Sequence, residues 1–166
     1  LCLALIVSMA ISPLTQMKVE AAPVTGIDVS VYQGDINWSA VKASGVQFAF
    51  VRVGTTKKGI DAKFAQNMAG ANAAGIRTGV YIYSYATTVE AAAYEANLVL
   101  QSVQPYTVSF PIAIDIEDSV QKACTPDQLA AIANTFCSII YSAGYYPIVY
   151  GSKNWLTTRI GATGFD

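Results

Sequence analysis

Phe110 to Glu117 reads F-P-I-A-I-D-I-E, an apolar run that opens on a proline and closes on two carboxylates, Asp115 and Glu117. Short, bounded and rich in isoleucine, it predicts a buried strand over Pro111 to Ile116. Residues two apart on a strand share a face, so the two acids emerge side by side, with Cβ atoms roughly 6.5 Å apart. A buried, unpaired carboxylate raises its pKa and takes a proton, the state a general acid needs near neutral pH. A solvated strand end or a structural ion pair would be written with the same letters, so the neighbouring elements have to decide.

Outward from this strand the chain repeats one unit: apolar strand, polar loop, amphipathic or alanine-rich helix, glycine, next strand. Strands are expected at Val24 to Ser30, Gln47 to Val53, Arg77 to Tyr85 and Tyr146 to Tyr150, besides Pro111 to Ile116. Helices are expected at Asn37 to Ser44, Asp61 to Ala74, Val89 to Val103 and Pro126 to Ala143, with a short one near Lys153 to Arg159. Gly45, Gly75 and Gly144 supply the stops. Strands alternating with helices pair in parallel through right-handed crossovers, which makes the class α/β. Five such units suit either an open doubly wound sheet or a β/α barrel. No G-x-G-x-x-G or G-x-x-x-x-G-K-[ST] follows any strand, which speaks against nucleotide binding.

In a β/α barrel the functional side chains collect at the C-terminal ends of the strands. Here those ends carry Asp28 and Ser30, Arg52, Tyr83 and Tyr85, Asp115 and Glu117, and Tyr150. Asp28 in G-I-D-V-S and Arg52 in F-A-F-V-R-V are each a charge inside an apolar strand. They either join the acidic site or form one buried structural salt bridge with each other.

Composition narrows the chemistry further. The 166 residues suffice for one domain, and 53% of them are hydrophobic. Ten basic and eleven acidic residues give a net charge of −1 with no basic stripe, so no nucleic acid partner is expected. The chain has no histidine, which excludes a Ser-His-Asp triad, a Cys-His dyad and the common histidine-containing zinc sites. Acid–base chemistry therefore falls to carboxylates, tyrosines, lysines or thiols, and neither metal nor cofactor is expected.

Leu1 to Leu14 (LCLALIVSMAISPL) has the length of a signal-peptide core, and Val19 to Ala21 offers small or aliphatic residues for cleavage. It is too short to span a bilayer, for which about 20 apolar residues are needed. The expected organisation is a leader over residues 1–21, its start missing before Leu1, and a domain over residues 22–166. The product would be secreted, with no stable membrane insertion once the leader is removed. Cys124 and Cys137 then remain. Thr125-Pro126-Asp127-Gln128 reads as an N-cap, a proline at the first helical position and a glutamine at N3. That start places Cys137 roughly 17 Å along the helix, beyond the reach of a disulfide from Cys124, so two free thiols are expected.

Five motifs in order resemble the family 25 glycoside hydrolases, the Chalaropsis-type lysozymes or N-acetylmuramidases. They are G-I-D-V-S-V-Y-Q-G-D-I-N-W at Gly26 to Trp38, the second strand with Phe48, G-V-Y-I-Y at Gly79 to Tyr83, F-P-I-A-I-D-I-E, and G-Y-Y-P-I-V-Y at Gly144 to Tyr150. The resemblance implies a flattened, irregular, TIM-like parallel β/α barrel with an acidic groove, acting on bacterial peptidoglycan as a monomer. It also implies roles: Glu117 protonates the leaving glycosidic oxygen, and Asp115 orients the substrate's N-acetyl group or stabilises developing positive charge. Asp28 completes the acidic cluster. Like charges held close push one pKa upward, so Glu117 is expected to hold the proton while a neighbour stays ionised. Tyr83, Tyr85, Tyr150 and Trp155, with Arg52, are the expected substrate-binding residues, while Trp38 and Tyr81 suit core packing as well as sugar contact. The family carries further strands beyond the point matching Asp166, so the barrel is expected to be truncated at its C-terminal side. A noncatalytic glycan-binding module on the same scaffold, or a chitinase-like glycosidase, are the competing readings.

Overall fold

The computed structural model describes residues 24–160. The expected leader lies outside them. The described chain forms β1 (Gly26–Val29), α1 (Trp38–Ala43), β2 (Phe48–Thr55), β3 (Gly59–Ile60), α2 (Phe64–Ala73), β4 (Arg77–Tyr83), α3 (Val89–Val103), β5 (Ile112–Asp115), α4 (Pro126–Ser142) and β6 (Pro147–Tyr150). Single turns at Val31–Gln33, Ser119–Ala123 and Trp155–Arg159 follow β1, β5 and β6.

The strand order in the sheet is β1-β2-β4-β5-β6, every neighbour parallel, with β3 folded back antiparallel on β2. Each new strand is therefore added on the same side of its predecessor. A doubly wound sheet reverses direction at its switch point, whereas a monotonic order is how a β/α barrel grows. The structure thus decides between the two architectures that the alternation of elements left open.

One face of this sheet packs on the helices. Ala49, Val51 and Val53 of β2, Val80 and Ile82 of β4, and Ile112 and Ile114 of β5 are buried there with Met68 of α2, Val99 of α3, and Leu129, Ile132, Phe136 and Ile140 of α4. Each fully buried aliphatic or aromatic side chain of this set contributes about 1.5–3 kcal/mol relative to its exposure to water. The opposite face carries residues in cross-strand rows: Gly26 beside Phe48, Asp28 beside Phe50 and Gly79, Arg52 beside Tyr81, Ala113 and Ile148, and Tyr83 beside Asp115 and Tyr150. Aromatic rings and glycines alternate because the rings need the room. A Cβ on Gly26 would lie 2.1 Å from the Phe48 ring, and one on Gly79 would lie 2.4 Å from the Pro111 carbonyl oxygen and 2.8 Å from the Phe50 ring. Phe48, Phe50 and Phe110 then pack as one group, with Phe48 stacked on Phe110 at 4.4 Å.

Helix starts follow local capping. Thr125 accepts from the Gln128 backbone while the Gln128 side chain accepts from Thr125, a complete capping box with Pro126 in the first turn. Cys124 and Cys137 are both free, as that helix start requires. Two expectations need correction. The helix expected from Asp61 begins at Phe64, because the Asp61 carboxylate is used elsewhere, and a two-residue strand, β3, stands where only loop was expected.

Candidate active site

Asp28, Asp115 and Glu117 line a single cavity of about 400 Å³, together with Phe48, Phe50, Tyr81, Ile148 and Tyr150. Its lining includes neither lysine nor arginine among the described residues. Three elements deliver the acids. β1 presents Asp28, exposed, on the same face as Phe50. β5 ends on Asp115, which is buried between Tyr83 and Tyr150 of the adjoining strands. Glu117 lies two residues past the end of β5, half-buried, where its Oε2 accepts the Ser152 N–H at 2.9 Å.

These placements raise one of the three carboxyls. Burial, then the charges of Glu117 and Asp28, push the Asp115 carboxyl up to about 7, and its Oδ1 is buried without a hydrogen-bond partner. Asp115 is thus raised towards its protonated form in the free site. The cause is that β5 ends on Asp115, so desolvation falls there, while Glu117, two residues on, reaches a backbone donor from the β6 side. Tyr81, in the same cavity, is pushed up to about 12 by burial. Its hydroxyl stays a neutral donor. Tyr150 is raised as well, by burial and then by Glu117, Asp115 and Asp28.

Not every expected residue joins this cavity. Arg52 donates from Nε at 2.8 Å and Nη2 at 2.6 Å to Asp61 Oδ2, which also accepts from the Val31 N–H, so the salt bridge considered between Asp28 and Arg52 is not formed. Asp28 is left to the acidic cluster. Arg52, Tyr83 and Tyr85 line a second cavity of about 440 Å³ with Tyr32, Lys58 and Asp61. There the Arg52 guanidinium lies 4.9 Å from the Tyr32 ring centre, and Lys57 Nζ 3.8 Å from that of Tyr85. The Tyr83 hydroxyl donates to Asp118 Oδ2 at 3.1 Å, and burial followed by that bond raises its pKa. Trp155 lines neither cavity: it is buried in the hydrophobic core with the Arg159 guanidinium over its ring, which corrects its expected place in the sugar groove. A tryptophan on a helical turn after a strand is equally consistent with core or groove, and here core packing wins.

Asp61 and Asp118 were not singled out as site residues by sequence, and Tyr81 was placed between core and sugar contact. Tyr81 was legible in outline, since it sits two residues before Tyr83 and therefore on the same face of β4. Asp61 was read only as the start of a helix, where an acid suits the N-terminal dipole, and nothing local says that its counter-ion comes from β2.

The cavity thus runs along the inner face of the sheet and gathers three carboxylates, one of them raised by burial, with no lysine or arginine in its lining among the described residues. The family model for glycosyl hydrolases family 25 matches residues 27–166, and the chain belongs to that family. It is 43% identical over 67 residues to lysozyme M1 of Streptomyces globisporus, a match covering 39% of this chain and 22% of that protein. Its fold matches the modular autolysin LytC of Streptococcus pneumoniae, solved in complex with a synthetic peptidoglycan ligand, with a TM-score of 0.72 and 30% identity over 81% of this chain and 34% of that one. The bacterial lysozyme of Streptomyces coelicolor is similar at a TM-score of 0.69 and 26% identity, over 86% of this chain and 69% of that one. The chain thus spans about a fifth of the Streptomyces globisporus protein and about a third of the autolysin.

Proposed function

We propose that this chain is the catalytic part of a secreted, monomeric peptidoglycan hydrolase that cleaves the β-1,4 bond between N-acetylmuramic acid and N-acetylglucosamine, with Glu117 as general acid. The observation that carries the reading is the convergence of Asp28, Asp115 and Glu117 in one cavity free of basic residues. Export rests on the apolar run Leu1 to Leu14. The family and the names of its relatives support the substrate class.

Burial draws a proton towards Asp115, and the neighbouring charges of Glu117 and Asp28 add to that pull. A sugar acetamido N–H donated to Asp115 favours its anionic form and moves the proton to Glu117. Glu117 is less enclosed and therefore better placed to protonate a glycosidic oxygen. As the glycosidic bond breaks, Asp115 either steers the acetamido oxygen onto the anomeric carbon or attacks that carbon itself, and water then displaces the adduct, with net retention. Tyr150 and Tyr81 offer aromatic faces to the pyranose C–H groups.

The test is loss of turbidity of purified cell walls on addition of the full-length protein. Glu117→Gln keeps the shape and removes the transferable proton, and clearing should fall by a factor of about 100 or more. Unchanged clearing by that variant removes Glu117 from the acid role, and preference for chitin over cell walls refutes the substrate.

A further inference from the structure

We propose that Glu95, a wholly buried carboxylate on α3, is a positioning residue that orients the turn carrying Glu117 through a polar relay of Ser84 and Gln121. The proposal rests on the reading of Glu117 as the acid, and it adds a residue that touches no substrate.

Glu95 sits on the buried stripe of α3 with Ala92, Ala96 and Val99, where an apolar side chain would pack without cost. It forms no ion pair among the described residues. Instead it accepts three hydrogen bonds from two segments of the rim: Thr56 Oγ1 to Oε1 at 3.2 Å, the Tyr85 N–H to Oε1 at 3.0 Å, and Ser84 Oγ to Oε2 at 2.6 Å. Thr56 follows β2, and Ser84 and Tyr85 follow β4. A carboxylate in this position fixes hydrogen-bond polarity as well as place.

Burial raises the Glu95 pKa, and the direction of the relay is read from its backbone partners of fixed polarity, the Ala86 N–H and carbonyl and the Asp118 N–H. Ser84 gives its only proton to Glu95, so its oxygen must accept, and it does so from the Ala86 N–H at 3.1 Å and from Gln121 Nε2 at 3.4 Å. Gln121 Nε2 also donates to the Ala86 carbonyl at 3.0 Å. With its amide nitrogen committed to that side, Gln121 turns Oε1 to the Asp118 N–H at 3.2 Å. That N–H belongs to the peptide bond leaving Glu117. Ser84 and Gln121 are both fully buried, so solvent cannot substitute for either. The Ser84 N–H bond to the Asp115 carbonyl at 2.9 Å ties the same serine to the end of β5.

Glu95→Gln is nearly isosteric but brings an NH₂ that faces Ser84 with a donor, which leaves the Ser84 proton without its acceptor and loosens the relay. In the full-length protein acting on purified cell walls it should lower kcat about tenfold with KM changed less than about twofold. Exchange of the Asp118 amide with deuterium should accelerate about tenfold, which reads the relay whether or not the walls are cleaved. Combined with Gln121→Met, the loss in kcat should be no larger than that of the more severe single variant, since both cut one relay. If Glu95→Gln does not fold, Ser84→Ala carries the same two measurements with a smaller change of volume. Unaltered Asp118 exchange in a folded variant overturns the proposal, as does a rise in KM at constant kcat or full additivity with Gln121→Met. Wild-type protein that cleaves no walls while the exchange effect persists refutes the reading of Glu117 and leaves the relay standing.

Discussion

Asp115 is where burial and chemistry oppose each other. Its carboxyl is raised to about 7 from an ordinary 3.8, by burial first and then by two neighbouring anions. The native state therefore binds a proton that the unfolded chain releases, and the sign of the linkage follows. Below about pH 4 both states are protonated and the site costs nothing, and stability is lost as pH rises through 7. Asp115→Asn removes the charge and keeps the shape, so this variant should be more stable than wild type at pH 8 by on the order of 2–4 kcal/mol. The difference should vanish near pH 4. Urea denaturation of the full-length protein at the two pH values measures it, and equal stability at pH 8 would show that Asp115 ionises freely. The acidic pair itself was legible as two carboxylates ending an apolar run. That burial would fall on Asp115 was not, because the Ser152 N–H that reaches Glu117 arrives from a segment 35 residues away. Glu95 had a visible signal, a lone carboxylate in the apolar stripe A-x-x-E-A-x-x-V of an alanine-rich helix, but its partners lie on two other segments.

At the scale of elements, the glycines inside strands set how closely the sheet packs. Gly79 on β4 lies against the Pro111 carbonyl, which is backbone and cannot swing aside, whereas the contact at Gly26 is with the Phe48 ring. Gly79→Ala should therefore destabilise by about 1–3 kcal/mol, the cost of overpacking a filled interior, read as a lower urea midpoint. No loss would show that β4 and β5 can separate at that point. Helix boundaries were legible wherever the cap is local, as at Thr125 with Gln128 and at Thr88, whose Oγ1 accepts from the Ala91 N–H. They were not legible at α2. Asp61 stands where a dipole partner would, yet it is drawn to Arg52 on β2, and the helix waits until Phe64. A short-range rule lost there to a charge pair that only the tertiary fold creates.

Over the whole molecule, strand order is what carries the active-site reading. Alternation of strands and helices establishes a parallel sheet but is silent about whether that sheet reverses. The order β1-β2-β4-β5-β6 answers this, and it brings Asp28 on β1 and the pair at the end of β5 to one cavity although 87 residues separate Asp28 from Asp115. Of the strand-end side chains, Asp28, Asp115, Glu117 and Tyr150 share the acidic cavity. Arg52, Tyr83 and Tyr85 line the neighbouring one, where Asp61, just after β3, pairs with Arg52 and Lys57 of the β2–β3 turn lies over Tyr85. The measurement that bears most directly on the acidic cluster as a muramidase site is identification of the new reducing ends in cell walls digested by the full-length protein. Borohydride reduction and hydrolysis should yield muramitol from wild-type digests and none above background with Glu117→Gln. Glucosaminitol as the product, or equal muramitol from the variant, would contradict the account.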